Sequence, residues 1–160
     1  AGPLRQSISD GVLASDLVLS IGSLTAQQKF SKDDAAGLAR LDRIEGSLTP
    51  LETGMQWPGL RAFAFAGIGR PEKFFETLQD CGADIVQTRS FGDHQKIPIA
   101  LLRRMETEAA KMNAQMVTTE KDAVRLPKEF SQKVLTLPVR LQIEDRDVLT
   151  QKMASLLENF

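Results

Sequence analysis

Arg61-Ala-Phe-Ala-Phe-Ala-Gly-Ile-Gly-Arg-Pro-Glu-Lys-Phe-Phe75 changes its hydrophobic period in mid-run and sets two glycines at the change. Ala62 to Ala66 is short, continuously apolar and closed by glycine, which suits a strand buried on both faces. Gly67-Ile68-Gly69 reads as the turn. Pro71 then fits a first helical position, Glu72 favours the positive end of a helix, and Phe74, Phe75 and Leu78 recur at helical spacing. The stretch is expected to be strand, glycine turn, helix. Such a turn has two uses: its backbone N–H groups can approach an anion at the helix start, or its glycines can serve only to make a tight connection. A dinucleotide fingerprint is not met, because Glu72, with Pro71 beside it, stands where a small residue is needed. That weakens a dinucleotide-dependent oxidoreductase. No window carries the G-x-x-x-x-G-K-[ST] of a phosphate-cradling P-loop.

Downstream of this unit, Gly82-Ala-Asp84 stops the helix and Ile85-Val86 begins the next strand, with Ser90 to Gln95 as the loop at its far end. A helix from about Pro98 to Met112 follows, with Leu101, Leu102, Met105, Ala109 and Met112 on one face. Gln115 to Thr118 reads as a strand, Thr119 to Leu126 as a polar loop, and Val134 to Ile143 as one or two strands. Asp145 is expected to cap a last helix whose Leu149, Met153, Leu156, Leu157 and Phe160 face the core. Upstream, Ser7 caps a short helix with Ile8, Val12 and Leu13 on one face, and Leu17 to Ile21 is a buried strand. A capping-box pattern, Ser31-x-x-Asp34, opens a helix through Ala35, Leu38 and Leu41. Ile44 to Leu51 suits an edge strand, since Pro50 removes a ladder donor. Trp57, the only tryptophan, is expected in the Gly54 to Gly59 loop as a packed lid in preference to a binding platform.

Strands alternating with helices imply an α/β fold, Rossmann-like, with an open, mostly parallel sheet, right-handed crossovers and helices on both faces. In 160 residues of 42% hydrophobic composition it has enough apolar matter for a proper core. The 20 basic and 21 acidic residues leave a formal net charge of -1, which gives no global attraction to nucleic acid or anionic membrane. The single cysteine, Cys81, excludes an internal disulfide and reads as a packing residue before Gly82. No apolar run approaches the roughly 18 residues needed to span a bilayer. Ala1-Gly2-Pro3-Leu4-Arg5 leads straight into helix-like sequence without an initiator methionine, and suggests a piece of a longer chain.

Ligands of open α/β sheets bind outside the carboxyl ends of the strands. Three polar clusters follow three successive strands there: Gly67 to Arg70, Phe91 to Gln95, and Thr118 to Asp122. They are expected to share one rim. Asp93-His94 holds the only histidine, which reads either as a proton-transfer group near neutral pH that the neighbouring carboxylate could orient or, as for most loop histidines, as a solvated bystander. In Thr118-Thr-Glu-Lys-Asp122, Lys121 could meet a phosphate while Glu120 or Asp122 holds it or the backbone. Alternatively the segment is a helix start, with Thr119 as cap and the acids meeting the dipole. Arg5 and Arg70 are further anion-binding candidates. One histidine and a distant cysteine do not make a zinc site, and no metal site is expected.

Taken together, Gly2-Pro3-Leu4-Arg5, Ala64 to Phe75, Phe91-Gly-Asp-His-Gln95 and Thr118-Thr-Glu-Lys-Asp-Ala-Val-Arg-Leu126 resemble the later half of the tetraacyldisaccharide 4'-kinase family, from the first residues to about Ile143. That resemblance implies a fragment related to P-loop kinases, with residues 1–59 as the tail of the kinase core and connecting segment and 60–160 as a C-terminal lobe. It implies ATP- and magnesium-dependent phosphoryl transfer to the 4'-hydroxyl of a tetraacylated glucosamine disaccharide 1-phosphate, in lipid A biosynthesis at the cytoplasmic face of the inner membrane of Gram-negative bacteria. The family's P-loop, magnesium-binding acids and membrane-inserting segment lie in its earlier half. The fragment by itself is therefore expected to be soluble and inert, and to hold neither ATP nor Mg2+. His94, with Asp93 beside it, matches the family's catalytic histidine, which pairs with an aspartate of the other half. Arg5 matches the family's Gly-Pro-x-Arg, but Gln6 stands where glutamate usually follows. The competing reading is a non-catalytic α/β module that binds a nucleotide or protein.

Overall fold

The computed structural model describes residues 7–33, 38, 40–93 and 95–158, with only the backbone of Ile8 and Asp33. Arg5, Gln6, Asp34, Ala35, His94 and Phe160 lie outside the described residues, and so does what was expected of them. By packing, the chain forms two compact units, 1–49 with 140–160, and 50–139. The division at 59/60 expected above follows role; the packing boundary falls at 49/50 instead. Residues from 140 onward belong with the first unit because their strand pairs with one of its own.

In the second unit, β3 (Arg61–Ala66) lies between β4 (Asp84–Ser90) and β5 (Gln115–Thr119), and β6 (Leu135–Leu137) adds to β5. Every described pairing in this sheet is parallel. The expected burial of β3 on both faces holds, for Ala62 through Ala66 are all 0% exposed. Its alternation sorts the core. Ala62, Ala64 and Ala66 face Trp57, Phe74, Leu78 and Val117, whereas Phe63 and Phe65 face Leu102, Met105, Ala109, Met116 and Phe130. The first set is covered by α3 (Pro71–Asp80) and the second by α4 (Ile99–Lys111) together with α6 (Lys128–Ser131). Small residues on one face and large ones on the other let the helices pack at different depths. Burying Phe63 and Phe65 stabilises the fold by about 1.5–3 kcal/mol each.

The glycine turn and helix follow as read from the sequence, with Pro71 in the first helical turn. α3 ends on Cys81, and Gly82 takes φ +89, where a Cβ would lie 3.1 Å from the Pro58 Cα. Glycine is needed there on both counts. Trp57 packs as the expected lid at 7% exposure. Burial, and then the charge of Asp80, push the half-buried Cys81 thiol up, so it is a packing group and not an activated nucleophile. The one-turn α6 was not foreseen; Phe130 anchors it in the core.

Glu108 of α4 binds Arg104 at 2.8 Å and Arg89 of β4 at 3.1 Å. The Arg104 hydrogen bond, followed by the charge of Arg89, holds its carboxyl below the usual carboxylate range. A lowered folded-state value means stability that is present above the unfolded value and lost as pH falls through the folded one. Glu108→Gln is therefore expected to lower the melting midpoint at pH 7, with the difference closing as pH falls below the usual carboxylate range.

In the first unit, β1 (Leu17–Ile21) pairs parallel with β2 (Asp42–Pro50), and β7 (Val139–Ile143) pairs with β2 on its other side. The Glu144 N–H to Glu45 and Leu51 N–H to Pro138 bonds run β7 antiparallel to β2. The expected edge position of this strand is overturned: β2 is central, and Pro50 is its last residue, so it interrupts no inner ladder. The capping box at Ser31 is also overturned. Ser31 sits inside α2 (Leu24–Asp33), and its hydroxyl donates back to the Gln27 carbonyl at 2.9 Å. That helix lacks an apolar stripe because it docks partly by hydrogen bonds. Gln27, 6% exposed, donates to Ser20 and Gly46 carbonyls at 2.8 and 3.2 Å and accepts from Arg43 at 2.6 Å.

α1 (Ile8–Leu13) has the expected Ser7 cap and buries Val12 but leaves Leu13 exposed. The last helix, α7 (Arg146–Leu157), departs most from expectation. Asp145 precedes it without a side-chain cap bond, none of its residues is buried, and Met153 and Leu157 are exposed. Leu149 and Leu156 are half-buried. Among the described residues no helix is long and apolar enough to cross a membrane.

Candidate functional site

The carboxyl ends of β4, β3 and β5 lie side by side, so the segments that follow them meet. The polar loop expected over Thr119 to Leu126 is overturned in its first part, where β5 runs into α5 (Glu120–Ala123), a single helical turn. Thr119 caps it, its hydroxyl oxygen accepting the Asp122 N–H at 3.1 Å, in agreement with the helix-start alternative. Asp122 goes further than meeting a dipole. Its carboxylate is 3% exposed, and one oxygen accepts the Gly67 N–H at 2.9 Å and the Thr119 hydroxyl at 2.8 Å. Its other oxygen pairs with the Arg125 guanidinium, which also donates to the Gly67 carbonyl at 3.2 Å. Among the described residues no buried side-chain nitrogen or oxygen lacks a partner.

This arrangement decides between the two uses of the glycine turn at residue 67. The Gly67 N–H, which could have met a ligand anion, meets the chain's own carboxylate. A Cβ at this position would lie 3.2 Å from Asp122 Oδ1, 3.4 Å from the Gly92 carbonyl oxygen and 3.5 Å from the Phe91 Cβ, so the close approach requires glycine. Gly69 is different: it is exposed, and a Cβ there would meet open space. Arg70 is exposed at the start of α3 and makes no side-chain cap bond.

After β4, the Phe91 N–H donates to the Ala66 carbonyl at 2.8 Å, and its ring stands edge-on to Phe65 at 6.4 Å. The next residues close on themselves. The Gln95 N–H donates to the Gly92 carbonyl at 2.9 Å, and the Gly92 N–H donates to the Gln95 side chain at 2.8 Å. Asp93 is then bound from across the rim by Lys121 at 3.0 Å. Because β4 and β5 flank β3, this ion pair spans the end of β3.

Of the expected site residues, Gly67, Asp93, Lys121 and Asp122 come together. Glu120, on the same helical turn, points elsewhere and lines an open cavity of about 480 Å³ with Met55, Thr136 and Pro138. A second cavity of about 510 Å³ lies against Arg125, Asp122, Lys96, Ile97 and Leu126. Arg125 and Gln95 belong to the site although neither was singled out. Arg125 had a local signal, its spacing of three from Asp122 on a helical turn. Among the described residues no group of three or more His, Cys, Asp or Glu could hold a metal ion.

The family model described as Tetraacyldisaccharide-1-P 4'-kinase (LpxK) matches residues 1–158. The tetraacyldisaccharide 4'-kinase of Dinoroseobacter shibae is 48% identical over 159 residues, 99% of this chain and 47% of the relative. That of Rhodospirillum centenum is 41% identical over 158 residues, 98% of this chain and 45% of the relative. The chain thus spans about half the length of the curated relatives it matches. Its fold is similar to the crystal structure of Aquifex aeolicus LpxK in complex with ATP, with a TM-score of 0.57 at 15% identity over 95% of this chain and 45% of that one.

Proposed function

Because the chain belongs to the tetraacyldisaccharide-1-P 4'-kinase family, we propose that it forms the later half of a lipid kinase. The full protein would transfer the γ-phosphate of ATP to the 4'-hydroxyl of a tetraacylated disaccharide 1-phosphate, in lipid A biosynthesis at the cytoplasmic face of the inner membrane. The names of the relatives support the reaction, and the ATP bound by the solved relative supports the donor. By role, residues 1–59 would continue the core of the other half, and 60–160 would form the second lobe.

His94 takes the proton of the 4'-hydroxyl as that oxygen bonds to the γ-phosphorus and the bond to the ADP oxygen breaks. Asp93 and an aspartate of the other half would orient the imidazole, and Arg5 and Arg70 would offset phosphate charge. A magnesium ion held by acids of the other half would neutralise the triphosphate. The observation that carries this reading is the Asp93–Lys121 pair across the end of β3. It fixes the residue next to His94 on the rim where α/β sheets bind ligands.

The test is transfer of labelled γ-phosphate to the acylated disaccharide. The full-length protein is expected to be active and the 160-residue chain by itself inert. Transfer by the isolated chain would overturn the division of labour proposed here.

A further inference from the structure

Lys121 has so far stood as a cation that could meet a phosphate, but its surroundings fit another task. Its backbone is held on both sides. Thr119 caps the turn before it, and the Lys121 carbonyl accepts from Arg125 Nε at 3.1 Å, while Arg125 is itself bound to Asp122 and Gly67. The ammonium group thus projects from a short, anchored turn and reaches Asp93 at 3.0 Å. The segment it reaches is fixed at its other points too. Phe91 is bound to β3, and Gly92 and Gln95 are bound twice to each other, which leaves Asp93 as the point where the tip of the segment is tied to a neighbouring strand end.

Resting on the kinase reading above, we infer that Lys121 is a positioning residue: through Asp93, the residue that precedes the histidine assigned there to proton transfer, it steadies the segment that follows β4, and it is not a ligand of either substrate. Both partners are close to half exposed, 46% and 48% by side chain, so the tie steadies the turn without deciding whether the protein folds. A positioned acid–base group that samples other places loses rate in the chemical step while substrate affinity stays.

Lys121→Met, Lys121→Arg, Asp93→Asn and the Lys121→Met/Asp93→Asn double variant, made in the full-length enzyme, separate the two roles. Lys121→Met is expected to lower kcat about fivefold with both KM values within about twofold, and Lys121→Arg to restore most of the rate. In the Asp93→Asn background, Lys121→Met is expected to have no further effect, since its partner has already lost its charge. Melting midpoints within about 2 °C of wild type would show that these are not folding effects. A raised KM for ATP or for the lipid with kcat unchanged would make Lys121 a ligand and overturn the inference. So would losses that multiply in the double variant, or a Lys121→Met enzyme equal to wild type. If the unsubstituted enzyme transfers no phosphate, it is the kinase reading that fails.

Discussion

In the full-length protein, His94→Ala is expected to lower phosphoryl transfer by roughly 100-fold or more, the usual contribution of a general acid–base group. The expectation joins chemistry to placement. A sugar hydroxyl is a poor nucleophile, and phosphoryl transfer depends on aligning it and relieving it of its proton. His94 is the only histidine of the chain. Its neighbour Asp93 is tied to Lys121 at the carboxyl end of a parallel sheet. The loss should fall on kcat, with KM for ATP and lipid little changed, if the group acts as proposed on the moving proton and not on the bound ground state. A non-catalytic module would tolerate the substitution; a His94→Ala enzyme within a factor of about three of wild type would favour that reading.

Asp122→Ala is expected to destabilise the protein by about 2–4 kcal/mol, measured by urea unfolding. The carboxylate is buried and accepts from three donors at once, the Gly67 N–H, the Thr119 hydroxyl and the Arg125 guanidinium, while the Asp122 N–H donates to the Thr119 hydroxyl oxygen. Alanine strands the buried Gly67 N–H and leaves Arg125 without its counter-charge, although Arg125 is 31% exposed and can recover part of its hydration. Asp122→Asn keeps the shape and a carbonyl acceptor for Gly67, so it should cost less than alanine does. Since a domain is stable by only about 5–15 kcal/mol, the alanine loss is large enough to read without ambiguity. An unchanged unfolding midpoint in Asp122→Ala would mean that the Gly67 turn does not depend on its internal anion.

The legible parts of the chain were those whose signal is carried by consecutive residues. The switch from a continuous apolar run to helical spacing around Gly67 located β3 and α3, and the stripe of Leu102, Met105 and Ala109 located α4. Proline and glycine marked their ends. The rim was legible too, because in a parallel sheet every strand delivers its following segment to the same side. Elements docked by polar bonds or by little contact were misread. α2 presents Gln27 inward instead of an apolar stripe, so its period is silent. α7 has apolar residues at helical spacing, but Met153 and Leu157 remain exposed, since an apolar pattern does not name the surface that covers it.

By itself the sequence determined the α/β class, the strand–turn–helix at its centre, the three polar segments of the rim and the family, all through local periods and short motifs. The tertiary structure decided what those motifs touch. Gly67 gives its N–H to a carboxylate 55 residues away, Lys121 binds Asp93 28 residues away, and β2 becomes a central strand through partners on either side. Such pairings depend on which strand ends the sheet sets side by side, and the spacing of neighbouring residues carries no information about that.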